Sequence, residues 1–70
     1  MNDKYSNIGG PVIRTIEECS ELIKECCKAE RFGLTSYHPE DGLRRTNRQR
    51  IRDEIKDVRR ALDELEKYLE

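Results

Sequence analysis

The chain has 70 residues, 34% hydrophobic and 41% charged, with 14 Lys or Arg against 15 Asp or Glu and a formal net charge of −1. That length allows one small domain with little core of its own, and the balanced charge excludes a global electrostatic pull toward nucleic acid. No apolar run is long enough to span a membrane and no secretory signal is present, so a soluble, cytoplasmic protein is expected, one that gains by self-association.

Residues 1–10 read as a flexible, polar leader ending in Gly9-Gly10. Pro11 suits the first position of a helix, where its missing N–H costs nothing. From there to Phe32 the pattern is helical, with an apolar stripe of Val12, Ile16, Cys19, Ile23 and Cys26 at spacings of four and three. Thr15 with Glu18 also matches a capping box, which would start the helix a turn later. Leu22 and Ala29 share a side with Glu18, a second apolar flank. Gly33 is a C-terminal stop. The three cysteines, Cys19, Cys26 and Cys27, all fall in this helix and read as reduced thiols used as small apolar groups. They complete no zinc-site spacing.

Residues 33–45 contain Gly33, Pro39 and Gly42 and no periodicity, which predicts a connecting loop. Thr46 and Gln49 form a second capping-box signal. The helix that follows runs to Leu69 with a stripe of Ile51, Ile55, Val58, Leu62, Leu65 and Leu69, coiled-coil-like but under three heptads long. The expected fold is all-α: an antiparallel helical hairpin over 11–70, helices about 11–32 and 47–69, completed into a four-helix-type bundle by oligomerisation.

Two acidic clusters carry the chemistry: Glu17-Glu18-Cys19-Ser20-Glu21 on the first helix and Glu54-Ile55-Lys56-Asp57 on the second. Carboxylates three residues apart lie side by side on a helix, and bringing two such pairs together calls for a hard cation such as Mg²⁺. By spacing alone, ordinary solvated Glu-rich helix faces compete with that reading, as Asp63 and Glu66 illustrate.

The order of these elements resembles the MazG-like nucleoside triphosphate pyrophosphohydrolases, an all-α superfamily, and in particular its short phage-encoded members. The similarity runs from about Ile13 to Leu65. It rests on Ile16-Glu17-Glu18 with Glu21-Leu22-Ile23, then Ala29 with Arg31-Phe32-Gly33, His38-Pro39, Thr46-Asn47-Arg48, and Glu54 with Asp57. The resemblance implies an oligomeric helical bundle, dimeric or tetrameric. It implies Mg²⁺ (or Mn²⁺) held by Glu18, Glu21, Glu54 and Asp57, and hydrolysis of a (deoxy)nucleoside triphosphate to the monophosphate and pyrophosphate. Glu17, with Glu18 and Glu21, would belong to the catalytic set, Glu17 orienting or deprotonating water. The chain departs from the family in having fewer helices and in Lys56, where a small residue is usual. Those departures motivate an alternative: a non-catalytic nucleotide-binding or sequestering protein on the same scaffold.

Arg44, Arg45, Arg48, Arg50 and Arg52 crowd the start of the second helix. Guanidinium forks match phosphate oxygens, and Arg48 and Arg52, one turn apart, are the first choices for substrate contact, with Lys56 alongside. Nucleic-acid binding by this cluster is disfavoured by the surrounding acids, and a solvated, partly salt-bridged surface is the competing reading. His38, Tyr37 and Phe32 are candidates for stacking on a base, and His38 also for acid–base work; a plain loop histidine and a helix-end plug are the competing readings. Lys24 and Lys28 share a face with Glu21 and Glu25 and look like i,i+4 helix pairs. A helical interaction module, with carboxylates that merely solubilise it, is the third possibility.

Overall fold

A computed structural model describes residues 10–70; the leader expected over 1–10, apart from Gly10, lies outside the described residues. Two helices, α1 (Pro11–Phe32) and α2 (Asn47–Leu69), pack side by side as a hairpin. No strand forms among the described residues; a single antiparallel bridge pairs Tyr37 with Thr46.

Local signals set the helix ends. Gly10 is extended and Pro11 opens α1. Thr15 does not cap a later start: its hydroxyl lies inside the helix and donates to the Pro11 carbonyl at 2.8 Å. Gly33 ends α1 at φ 95°, a region open to glycine and costly for a Cβ-bearing residue, and its N–H donates to the Ala29 carbonyl at 2.7 Å. The capping box that opens α2 is complete. The Gln49 N–H donates to Thr46 Oγ1 at 3.2 Å, and the Thr46 N–H donates to Gln49 Oε1 at 2.9 Å.

The packed face of α1 differs from the expected one. Val12, Ile16 and Ile23 are 41%, 54% and 64% exposed, and Cys26 is exposed as well. The helix instead turns its second flank inward: Thr15, Glu18, Leu22, Glu25 and Ala29 recur at three and four residues and are buried or half-buried. Both flanks satisfy a 3.6-residue period, and α2 offers a matching inner row of Asn47, Glu54, Val58, Ala61 and Leu65. The consequence is a polar interior. Ala61 is the one fully buried apolar residue among those described; the other two buried side chains are Glu25 and Asn47.

The 33–46 connection is held by two polar groups. Asn47 Nδ2 donates to the Gly33 carbonyl at 2.9 Å, and the Asn47 N–H donates to the Ser36 carbonyl at 2.8 Å, tying the start of α2 to the end of α1. Asp41, whose side chain is 5% exposed, accepts from the Leu43 and Arg45 N–H groups and from Arg50 Nη2 at 2.9 Å, and pairs with Arg45 Nε at 3.5 Å. Burial pushes its carboxyl up, but those two N–H groups and the two guanidiniums outweigh burial and hold it below its ordinary value.

Candidate functional site

The inward flank of α1 carries acids, and it meets an acidic stretch of α2. One carboxylate oxygen each from Glu18, Glu54 and Asp57 fall within 4.8 Å of one another, all three side chains half-buried. Three carboxylates so placed repel unless a proton or a cation intervenes. Burial, then the adjacent Glu18, then the charges of Asp57 and Glu21 push the Glu54 carboxyl up from 4.5 to about 7. Its Oε2 is buried without a hydrogen-bond partner. Arg14 reaches Glu18 Oε2 from the next turn at 3.7 Å, a solvent-screened pair that neutralises little.

Beside Glu54 and Asp57 runs a crevice of about 170 Å³ lined by those two residues with Glu21, Glu25, Arg45, Arg50 and Asp53; Glu18 is not part of its wall. Glu21 therefore stands at the same crevice as Glu54 and Asp57, outside the tight triad, and is loosely paired with Lys24 at 4.0 Å. Glu17 is exposed and lines none of the cavities described here. Three of the four residues implied as metal ligands, Glu18, Glu54 and Asp57, thus come together, and the fourth, Glu21, shares the crevice with Glu54 and Asp57. Oxygen donors at this density suit a hard divalent cation, which takes carboxylate and water oxygens, and the orphaned Glu54 oxygen is where such an ion gains most.

The arginines at the crevice are Arg45 and Arg50, both anchored on Asp41. Arg45 also reaches Asp53 at 3.8 Å. Arg52 and Lys56 line a separate groove of about 500 Å³ on the outer face of α2, together with Gln49, Ile55 and Arg59, which adjoins the crevice at Asp53. Arg48 is exposed and lines neither. Lys56 makes no ion pair with Asp57 among the described residues.

Sequence reasoning missed two members. Glu25 is 7% exposed, pairs with Lys28 at 3.4 Å and leaves Oε2 unpartnered. Its signal was its place one turn beyond Glu21 on the Leu22 flank. The helix pairs Glu21–Lys24 and Glu25–Lys28 form at i,i+3 rather than at the expected i,i+4. Asp41 was signalled by its Asp-Gly pair, a turn former. Comparison with protein-family models, curated proteins and solved structures finds no match to this chain. No helix among the described residues is long and apolar enough to cross a membrane.

Proposed function

We propose that this chain is a MazG-like pyrophosphohydrolase that converts (deoxy)nucleoside triphosphates to monophosphate and pyrophosphate with Mg²⁺ as cofactor. The observation that carries the reading is the convergence of Glu18 from one helix with Glu54 and Asp57 from the other, their oxygens within 4.8 Å. The ordered sequence resemblance agrees with it.

Glu18, Glu54 and Asp57 are the residues to hold the ion, with Glu21 at the rim. When bound, Mg²⁺ supplies neutralisation of phosphate charge and a more acidic water. The protein's own part is to bind and orient. Arg45 and Arg50, held by Asp41, present guanidinium N–H groups to phosphate oxygens at the crevice wall. Glu21, which lines the crevice and is loosely paired, is better placed than Glu17, which lines no cavity described here, to accept a proton from attacking water. Arg52 and Lys56 serve the outer groove, where the distal phosphates can extend.

The sequestering alternative rests in part on Lys56, which stands where a small residue is usual. Lys56 lines the outer groove and makes no ion pair with Asp57 among the described residues, so its presence does not weigh against turnover. Assembly belongs to the same proposal. Val12, Ile16 and Ile23 on α1, with Leu62 and Leu69 at 47% and 70% exposure on α2, leave apolar surface that a second hairpin would cover in a four-helix bundle.

The test is incubation of purified protein with each common nucleotide and Mg²⁺, with products resolved by chromatography. The proposal expects monophosphate and pyrophosphate from at least one nucleotide, and none from the Glu54→Gln variant. Tight binding without products from any of them transfers the reading to the sequestering alternative.

A further inference from the structure

Beside the acid crevice lies a second cavity of about 460 Å³ that the metal chemistry does not use. Its walls include Phe32 from the end of α1, Tyr37, His38 and Pro39 from the connecting loop, and Lys28 and Arg50 from the two helices. Phe32 and Tyr37 are 61% and 47% exposed, so neither ring is a core plug. Arg31 sits over the Phe32 ring at 5.9 Å and Arg44 over the Tyr37 ring at 6.0 Å. The His38 Nδ1 accepts from the Glu40 N–H at 3.1 Å, which leaves Nε2 as the protonated nitrogen of the neutral ring.

The wall between the two cavities is what matters. Arg50 lines both. The Lys28–Glu25 pair spans them as well, Lys28 facing the aromatic side and Glu25 the acidic side. Arg50 is fixed by one N–H to Asp41 at 2.9 Å, and a guanidinium has five. A flat ring flanked by aromatics, an anionic linker passing a cation, and a charged tail reaching carboxylates is the ordering of parts in a nucleotide.

We propose that this cavity is the base site: the nucleobase stacks among Phe32, Tyr37 and His38, and the α-phosphate passes Arg50 into the acid crevice. The assignment rests on the pyrophosphohydrolase reading for the identity of the ligand. It adds that selection of nucleotides over bare polyphosphate comes from the loop end of the hairpin. Stacking on aromatics is worth about 1–3 kcal/mol per base, or roughly 5- to 150-fold in affinity. Neither exposed ring supports the core, so their removal leaves the fold intact.

Phe32 is the single phenylalanine and His38 the single histidine, so their ring resonances in NMR spectra are identified by composition alone. The experiment titrates the full chain with an α,β-imido nucleoside triphosphate plus Mg²⁺, with the parent nucleoside in EDTA, and with inorganic tripolyphosphate plus Mg²⁺. It is repeated on Phe32→Ala/Tyr37→Ala and on Glu54→Gln, with circular dichroism confirming helix content. The proposal expects saturable ring shifts at Phe32 and His38 with nucleotide and nucleoside but not with tripolyphosphate. It expects at least a ~10-fold weaker nucleotide affinity in the double variant with Mn²⁺ affinity unchanged, and nucleoside shifts retained in Glu54→Gln. Mg²⁺-dependent nucleotide binding that leaves both rings unmoved, with the double variant binding as tightly as wild type, overturns the base site while the metal reading survives. No nucleotide binding by the wild-type chain overturns both.

Discussion

Replacing Glu54 by Gln should stabilise the metal-free protein at neutral and alkaline pH, against the usual cost of altering a half-buried side chain. Unit charges at the 4.8 Å limit of the Glu18–Glu54–Asp57 triad repel by about 3 kcal/mol per pair at an effective dielectric of ~20. The shift of the Glu54 carboxyl from 4.5 to about 7 corresponds to a similar figure, roughly 3 kcal/mol. Glu54 is half-buried, so solvent screening brings the expected effect to about 2 kcal/mol. The sign follows from proton binding. Between pH 4.5 and about 7 the folded chain holds a proton on Glu54 that the unfolded chain has released. This contribution is fully present below 4.5 and lost as pH rises through 7. In EDTA, thermal melts followed by circular dichroism should show wild-type Tm falling over that window. Glu54→Gln should be flatter and about 10 °C higher at alkaline pH. Millimolar Mg²⁺ should raise the wild-type Tm and move the variant far less. A wild-type Tm that does not change across that window in EDTA, with Glu54→Gln no more stable at its upper end, refutes the crowding on which this reasoning depends.

Other consequences are tested separately. Asn47→Ala leaves the Gly33 carbonyl without its partner and should cost about 1–3 kcal/mol in chemical denaturation; a change within error contradicts the role given to Asn47. Gly33→Ala forces a Cβ onto φ 95° and should lower stability by about 1 kcal/mol in the same assay. Asp41→Asn weakens the anchor of Arg45 and Arg50. It should speed proteolysis within 33–46 and weaken nucleotide affinity while leaving Mn²⁺ affinity unchanged, both read on one preparation. Ile16→Glu with Ile23→Glu should reduce the mass in sedimentation from a multiple of 8.3 kDa to the single chain; an unchanged mass means the exposed stripe is not the assembly face.

The helix limits were legible because each rests on a local, short-range signal. Pro11, Gly33 and the Thr46–Gln49 box act within one turn, and the structure places α1 and α2 at the residues those signals mark. The packed face of α1 was not. A helical wheel ranks faces by apolarity and so favours Ile16 and Ile23, whereas the hairpin closes on Leu22 and Ala29 with Glu18 and Glu25 between them. Periodicity marks an apolar face but not which neighbour covers it, and α1 carries two such faces. The meeting of Glu18 with Glu54 and Asp57 depends on that choice of flank: turning the Ile16 stripe inward would have carried Glu18 away from α2. Asp41 and Asn47 act across the loop, through hydrogen bonds that spacing in the sequence does not express.

The most direct measurement of the central claim is the electron paramagnetic resonance signal of free Mn²⁺ titrated with protein. The account predicts that wild-type chain depletes the six-line signal stoichiometrically, that Mg²⁺ restores it by competition, and that Glu54→Gln and Asp57→Asn leave most of it in place. A free-ion signal of the same amplitude with and without wild-type protein contradicts it.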